Sequence, residues 1–135
     1  MHITLRANEK IYINGAVLKP DRKVSIELLN DAVFLLQAHV MGEAEATTPM
    51  RQLYYIVQLM LMEPTDLAIN HTVFDQQCIA MAGVYRDVTI LEGLARISGL
   101  VSRKRHFEAL KVIRSLLPNE QQLIDGQRPA LAQAS

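Results

Sequence analysis

The stretch Glu9-Lys10-Ile11-Tyr12-Ile13-Asn14-Gly15-Ala16-Val17-Leu18 decides how the first third of the chain folds. Ile11 and Ile13 recur at every second position, the period of a strand whose side chains point alternately to its two faces. Asn14-Gly15 then supplies two residues that tolerate the positive φ of a type I′ turn, and an apolar run follows. This predicts a β-hairpin. The same period extends outward on both sides, through Ile3 and Leu5 before it and Val24, Ile26 and Leu28 after it. Pro20-Asp21 makes a turn that releases a strand of about Lys23–Leu29. From Ala32 to Met41 two readings compete. Asn30-Asp31 either turns into a strand Val33-Phe34-Leu35-Leu36 or caps a short helix, and the strand is favoured.

Beyond Gly42–Thr48, which is small and polar, the period changes to that of a helix. Thr48 offers a capping hydroxyl and Pro49 stands at the first helical position, where a missing N–H costs nothing. The helix Pro49–Met62 carries Leu53, Ile56, Val57, Met60 and Leu61 at three- and four-residue spacing, and Pro64 stops it. Met50, Tyr54 and Leu61 are expected in its core face. A second helix is expected from about Thr65 to Met81, ending near Gly83. A third, from about Asp87 to Leu100, turns Ile90, Leu94 and Ile97 inward despite Gly93 and Gly99. A fourth, Lys104–Leu117, carries Phe107, Leu110, Val112, Ile113, Leu116 and Leu117 and ends at Pro118. The expected fold is α+β: a small N-terminal antiparallel sheet of four or five strands packed with a C-terminal bundle of about four helices. Residues 1–125 are expected to form a single domain, 1–41 mainly β and 49–125 mainly α, and residues 126–135 a flexible tail.

The chain has 135 residues, 50% of them hydrophobic, which is enough for a core. Fourteen Lys and Arg balance fourteen Asp and Glu, but unevenly. Residues 1–30 carry five basic and three acidic groups, residues 31–102 three and eight, and residues 103–135 six and three. Both ends are basic around an acidic middle. A single cysteine, Cys78, excludes an internal disulfide and points to a reducing compartment. The opening residues Met1–Arg6 lack the layout of a secretory signal, and the apolar run Leu53–Met62 is far below the ~20 residues of a membrane helix. A cytoplasmic protein with no membrane contact is expected.

No GxGxxG, P-loop, GxSxG or HExxH motif is present, so neither an enzyme nor a cofactor is expected. His71, Asp75 and Cys78 fall along one helical face at i, i+4 and i+7 and form the sharpest metal signal. The plainer reading prevails, because no fourth ligand is indicated: Cys78 is a small buried residue while His71 and Asp75 are solvated. No metal site is expected. Asn70-His71-Thr72 matches a glycosylation acceptor within a predicted helix and is taken as chance.

The cations point elsewhere. If Ile3, Leu5, Ile11 and Ile13 face the core, then His2, Thr4, Arg6, Lys10 and Tyr12 share the outward face of the sheet, and Lys19, Arg22 and Lys23 add to it from the next turn. One ring among cations is a platform for single-stranded RNA, the ring stacking on a base while Lys and Arg neutralise phosphates. Arg103-Lys104-Arg105 is the densest basic run, extended by Lys111 and Arg114 along the fourth helix. Cations at a helix start oppose its dipole, a mismatch that hints at a partner.

Three blocks carry a family resemblance: Glu9–Leu18, Leu28-Leu29-Asn30-Asp31, and Ala46-Thr47-Thr48-Pro49 with Arg51-Gln52-Leu53-Tyr54. Together they resemble the FlbT family of flagellum biosynthesis regulators. The likeness is close over about residues 3–62 and continues in features such as Phe107-Glu108-Ala109-Leu110. It implies post-transcriptional control of flagellin synthesis through the 5′ untranslated region of flagellin messenger RNA, with repressed translation or promoted decay. Some relatives are described as acting positively. The resemblance also implies a link to the small flagellar protein FlaF, so the alternative is an adaptor that docks FlaF or flagellin and affects the message indirectly. A homo-oligomer is compatible with either. The resemblance supplies no contact residues, so the RNA-binding set Arg6, Lys10, Tyr12, Lys19, Arg22, Lys23, Arg103, Lys104 and Arg105 rests on the physical reading.

Overall fold

In the computed structural model, five short strands precede four helices. It describes residues 1–14, 16–30 and 32–134, with the backbone alone at Pro64 and 127–134. Strand β1 (His2–Leu5) pairs antiparallel with β4 (Val24–Glu27), Ile3 opposite Ile26. Strand β2 (Ile11–Ile13) lies between β3 (Ala16–Leu18) and β5 (Phe34–Leu36), antiparallel to both. The expected hairpin is therefore β2–β3, and Asn14 has the positive φ, 48°, that its turn requires. Gly15 and Asp31, the second residues of their expected turns, lie outside the described residues. The strand reading of residues 33–36 holds, and a 3-10 turn at Gln37–His39 follows it.

Alternation divides the apolar side chains of β2 and β5 between two cores. Ile11 and Phe34, with Ile13 and Leu36, face Ile3 and Leu5 of the two-stranded sheet. Leu35 and its cross-strand partner Tyr12 face the other way, into the helical core. The three-stranded sheet is thus a middle layer covered on both sides, and the expectation of one outward cationic face is corrected here. Tyr12 is half-buried against the helical core and does not share a surface with Lys10, because helices cover the side that alternation alone leaves open.

Helix α1 (Pro49–Met62) starts and stops where expected, the Thr48 hydroxyl accepting from the Arg51 N–H at 3.2 Å. Its Met50, Leu53, Tyr54, Val57 and Met60 are buried. Gln58, also buried, pairs with a backbone as a strand would: its Oε1 accepts from the Met41 N–H at 2.7 Å and its Nε2 donates to the Met41 carbonyl at 2.8 Å. Both polar ends of the amide are satisfied, so its burial is tolerated. Helix α2 (Leu67–Val84) begins after a 3-10 turn at Pro64–Asp66 and ends next to Gly83, as expected. Helix α3 (Val88–Ser102) is capped by Asp87, which accepts from the Ile90 N–H at 3.0 Å, and buries Ile90, Leu94 and Ile97 as expected. Gly93 sits in its middle because α4 approaches closely there: a Cβ would lie 2.3 Å from Leu116 Cδ1.

Helix α4 (His106–Ala134) does not end at Pro118. Proline in a helix interior removes one hydrogen bond and crowds the preceding turn, at about 3 kcal/mol. Here tertiary contacts beyond it offset that cost. Leu123 packs against the main core, and the Glu120 carboxylate, 1% exposed, accepts from the Thr48 hydroxyl, from the Met50 N–H at 2.9 Å and from the Tyr85 hydroxyl at 2.5 Å. One carboxylate thereby ties α4 to the start of α1 and to the link between α2 and α3, and it sits where a helix N-terminus favours negative charge. The helical backbone continues to Ala134, while the side chains of the expected tail lie outside the described residues from 127 on.

Candidate nucleic-acid interface

Five of the expected cations gather at one end of the two sheets. Leu5 pairs with Val24 and Ile11 with Leu18, so Arg6, Lys10, Lys19, Arg22 and Lys23 all project from the loops at that end. The Asn8 N–H donates to the Pro20 carbonyl at 2.8 Å and joins the two loops. Asn8 has φ 65°, a conformation that Asn tolerates better than most residues. All five cations are exposed. Two carboxylates share the region: Glu9 accepts from the Arg6 backbone N–H at 3.0 Å, and Asp21 lies 3.5 Å from Arg22 in a solvated pair that is worth little. The end keeps a basic excess. Tyr12 does not join it.

From there a second basic feature leads onto α4. The Lys10 N–H donates to Gln37 Oε1 at 2.7 Å and the Gln37 N–H returns to the Lys10 carbonyl at 3.1 Å, so the 3-10 turn Gln37–His39 abuts the cationic end. His39 then lines a cleft of about 330 Å³ between β1 and α4, together with His2, Thr4, Phe107, Lys111 and Arg114. Phe107, Lys111 and Arg114 recur at i, i+4 and i+7, one face of α4. Phe107 is held by Phe34, their ring centroids 5.3 Å apart, and Lys111 Nζ stands 4.7 Å over the Phe107 ring. Arg114 Nη1 donates to the Tyr54 hydroxyl at 3.0 Å, and that hydroxyl donates to the His39 carbonyl at 2.5 Å.

Neither Lys111 nor Arg114 pairs with a carboxylate among the described residues. Arg114 makes no other hydrogen bond there, which leaves most of its N–H donors free for an anion. His39 is held below the usual imidazole pKa, first by burial and then by the Arg114 charge beside it. A phosphate placed between them would reverse the second cause. Lys111 and Phe107 also border a wider cleft on the far side, which adds Arg96 of α3 and the acid Glu108.

Arg103, Lys104 and Arg105 form the turn between α3 and α4, and the dipole mismatch there is reduced. Arg103 caps the C-terminal end of α3, where a cation is favoured, its Nε donating to the Gly99 carbonyl at 3.1 Å. Arg105 pairs with Glu108, its Nε donating to Oε1 at 2.7 Å. Lys104 takes a left-handed φ of 61° in the turn. Two of the three are engaged locally. Lys111 and Arg114, which the sequence marks only as an extension of this run, face the cleft instead. The signal for them is the i, i+4, i+7 spacing with Phe107.

No group of three or more His, Cys, Asp or Glu side chains suited to a metal comes together among the described residues. His71 meets the ring of His106 edge-on at 6.1 Å, while the Cys78 thiol is pushed up to about 11, first by burial and then by Asp75. Among the described residues no helix is long and apolar enough to cross a membrane.

The profile of the family described as flagellar protein FlbT matches residues 1–124. A Bradyrhizobium diazoefficiens protein named probable flagellum biosynthesis repressor protein FlbT 2 is 53% identical over 126 residues, 93% of each chain. A Brucella anthropi protein named probable flagellum biosynthesis repressor protein FlbT is 47% identical over all of this chain and 89% of its own. A Brucella abortus protein of the same name is 47% identical over 94% of this chain and 84% of its own. No solved structure matches.

Proposed function

The chain belongs to the FlbT family of flagellar proteins, whose relatives carry the name of flagellum biosynthesis repressor, and from that membership we propose that it controls flagellin synthesis after transcription. In this reading it binds the 5′ untranslated region of flagellin messenger RNA and represses translation or promotes decay of the message. The leader lies in the cleft between β1 and α4 and crosses the 3-10 turn to the cationic end of the sheets. Lys111 and Arg114 hold phosphates, and His39 and His2 supply further donors. Arg6, Lys10, Lys19, Arg22 and Lys23 neutralise the continuing backbone. The observation that supports this reading is that Lys111 and Arg114, neither paired with a carboxylate among the described residues, line a cleft whose His39 belongs to the 3-10 turn abutting the basic loop cluster, in a chain of zero net charge. A local basic surface, not a basic average, is what nucleic-acid binding requires.

The test is fluorescence anisotropy with a flagellin leader RNA across a salt series. Contact with about four to six phosphates on a single strand gives a log–log salt slope of roughly −3 to −4. Lys111→Glu, and separately Lys10→Glu with Arg22→Glu, should each weaken binding by at least about tenfold, with circular dichroism unchanged. Absence of leader binding at low salt would overturn the direct reading. The adaptor would then remain, docking FlaF or flagellin, and co-purification with either that survives these charge reversals would support it.

A further inference from the structure

We propose that the outer face of α2 pairs with the same face of a second copy of this chain, the two helices running antiparallel about a twofold axis at Gln76. Helix α2 carries apolar residues on its outer as well as its inner side, yet only Phe74 and Met81 of its 18 residues are buried. Ile69 is 67% exposed, Ile79 74% and Val84 75%. With Val73 they leave on the order of 500 Å² of apolar surface open, at the upper end of what a monomer shows. Two such faces bury roughly 1,000 Å², about the least that a specific interface needs.

Charge selects the occupant and its direction. Between Asp66 and Arg86 the only formally charged residue is Asp75, so the stripe Ile69, Val73, Gln76, Ala80 and Val84 gives a charged partner nothing to read. Asp66 and Arg86 flank it ten residues either side of Gln76, both exposed and neither in an ion pair among the described residues. Antiparallel pairing about Gln76 sets Asp66 of each copy against Arg86 of the other and opposes the helix dipoles. Parallel pairing would set like against like. The same register places Ile69 opposite Gly83, which adds no side chain of its own to the surface, and Val73 opposite Ile79.

Light scattering on size-exclusion peaks of the full chain should give twice the chain mass at high micromolar concentration, and Ile79→Asp should return it to the monomer. Asp66→Arg and Arg86→Asp should each raise the dimer dissociation constant about tenfold, and the double exchange should restore it. In a Cys78→Ser background, Gln76→Cys should oxidise to a covalent dimer. Ile69→Cys should not, its copies lying about 21 Å apart along the helices. A monomer at every concentration would overturn the proposal. So would a dimer indifferent to Ile79→Asp, a Gln76→Cys chain that fails to crosslink, or a double exchange as weak as the single ones.

Discussion

Arg114 donates to the hydroxyl of Tyr54 at 3.0 Å, and through it the guanidinium is fixed beside the carbonyl of His39. Three segments far apart in sequence meet at one phenol: α1 supplies the ring, the 3-10 turn the carbonyl and α4 the cation. Tyr54 is 2% exposed and its ring is core, so Tyr54→Phe keeps the packing and deletes both bonds. We expect a stability loss of about 1–2 kcal/mol in urea unfolding, because a part-buried carbonyl loses its donor. Leader RNA binding should weaken as well, since Arg114 is no longer aimed.

The Glu120 carboxylate satisfies three donors from two other parts of the fold. Glu120→Ala strands all three and should destabilise by about 3 kcal/mol. Glu120→Gln keeps an acceptor but turns an NH₂ toward donors, and about 1–2 kcal/mol is expected. Denaturant midpoints at constant m-value check both. The Tyr85 phenol, pushed up by burial and by Glu120, should remain protonated in the native protein well into alkaline pH, which ultraviolet titration reads directly.

His106 carries a buried Nε2 without a partner among the described residues, and its pKa is lowered by burial and then by His71, against a backbone hydrogen bond at Lys104 that raises it. A histidine whose folded pKa lies below the ordinary 6.5 binds its proton more readily when unfolded. Its contribution is therefore complete above that value and is lost as pH falls towards the folded one. The thermal midpoint should drop between about pH 7.5 and about pH 5.5, and His106→Leu should flatten the drop. His39 has the same sign, so RNA that favours its protonated form should bind more tightly as pH falls.

Pro118 is exposed inside α4. Pro118→Ala restores a backbone donor and relieves the crowded turn, and a stabilisation of about 1–3 kcal/mol is expected as a higher melting temperature. A lower one would mean that the proline bends α4 into the place Glu120 needs.

What the sequence reveals here follows how local each cause is. Thr48-Pro49 and Pro64 mark the ends of α1 by chemistry within a few residues of the boundary, and Asn14-Gly15 marks its turn in the same way. Tyr12 was not legible, because alternation says which side chains share a face and not what covers it. Pro118 reads as a stop until the burial of Glu120, a contact 70 residues away, outweighs it. The clustering of Arg6, Lys10, Lys19, Arg22 and Lys23 follows from strand register and was half-visible. The cleft was not, since Lys111 and Arg114 acquire His2, His39 and Tyr54 as neighbours only when α4 packs against the sheets.

Ultraviolet crosslinking of the full chain to a flagellin leader RNA, with the modified peptides mapped by mass spectrometry, tests the proposed interface most directly. Adducts should fall in residues 2–10, 19–23, 37–39 and 107–114, and should fade together as salt rises. Adducts confined to α2, or none at any salt concentration, would contradict it.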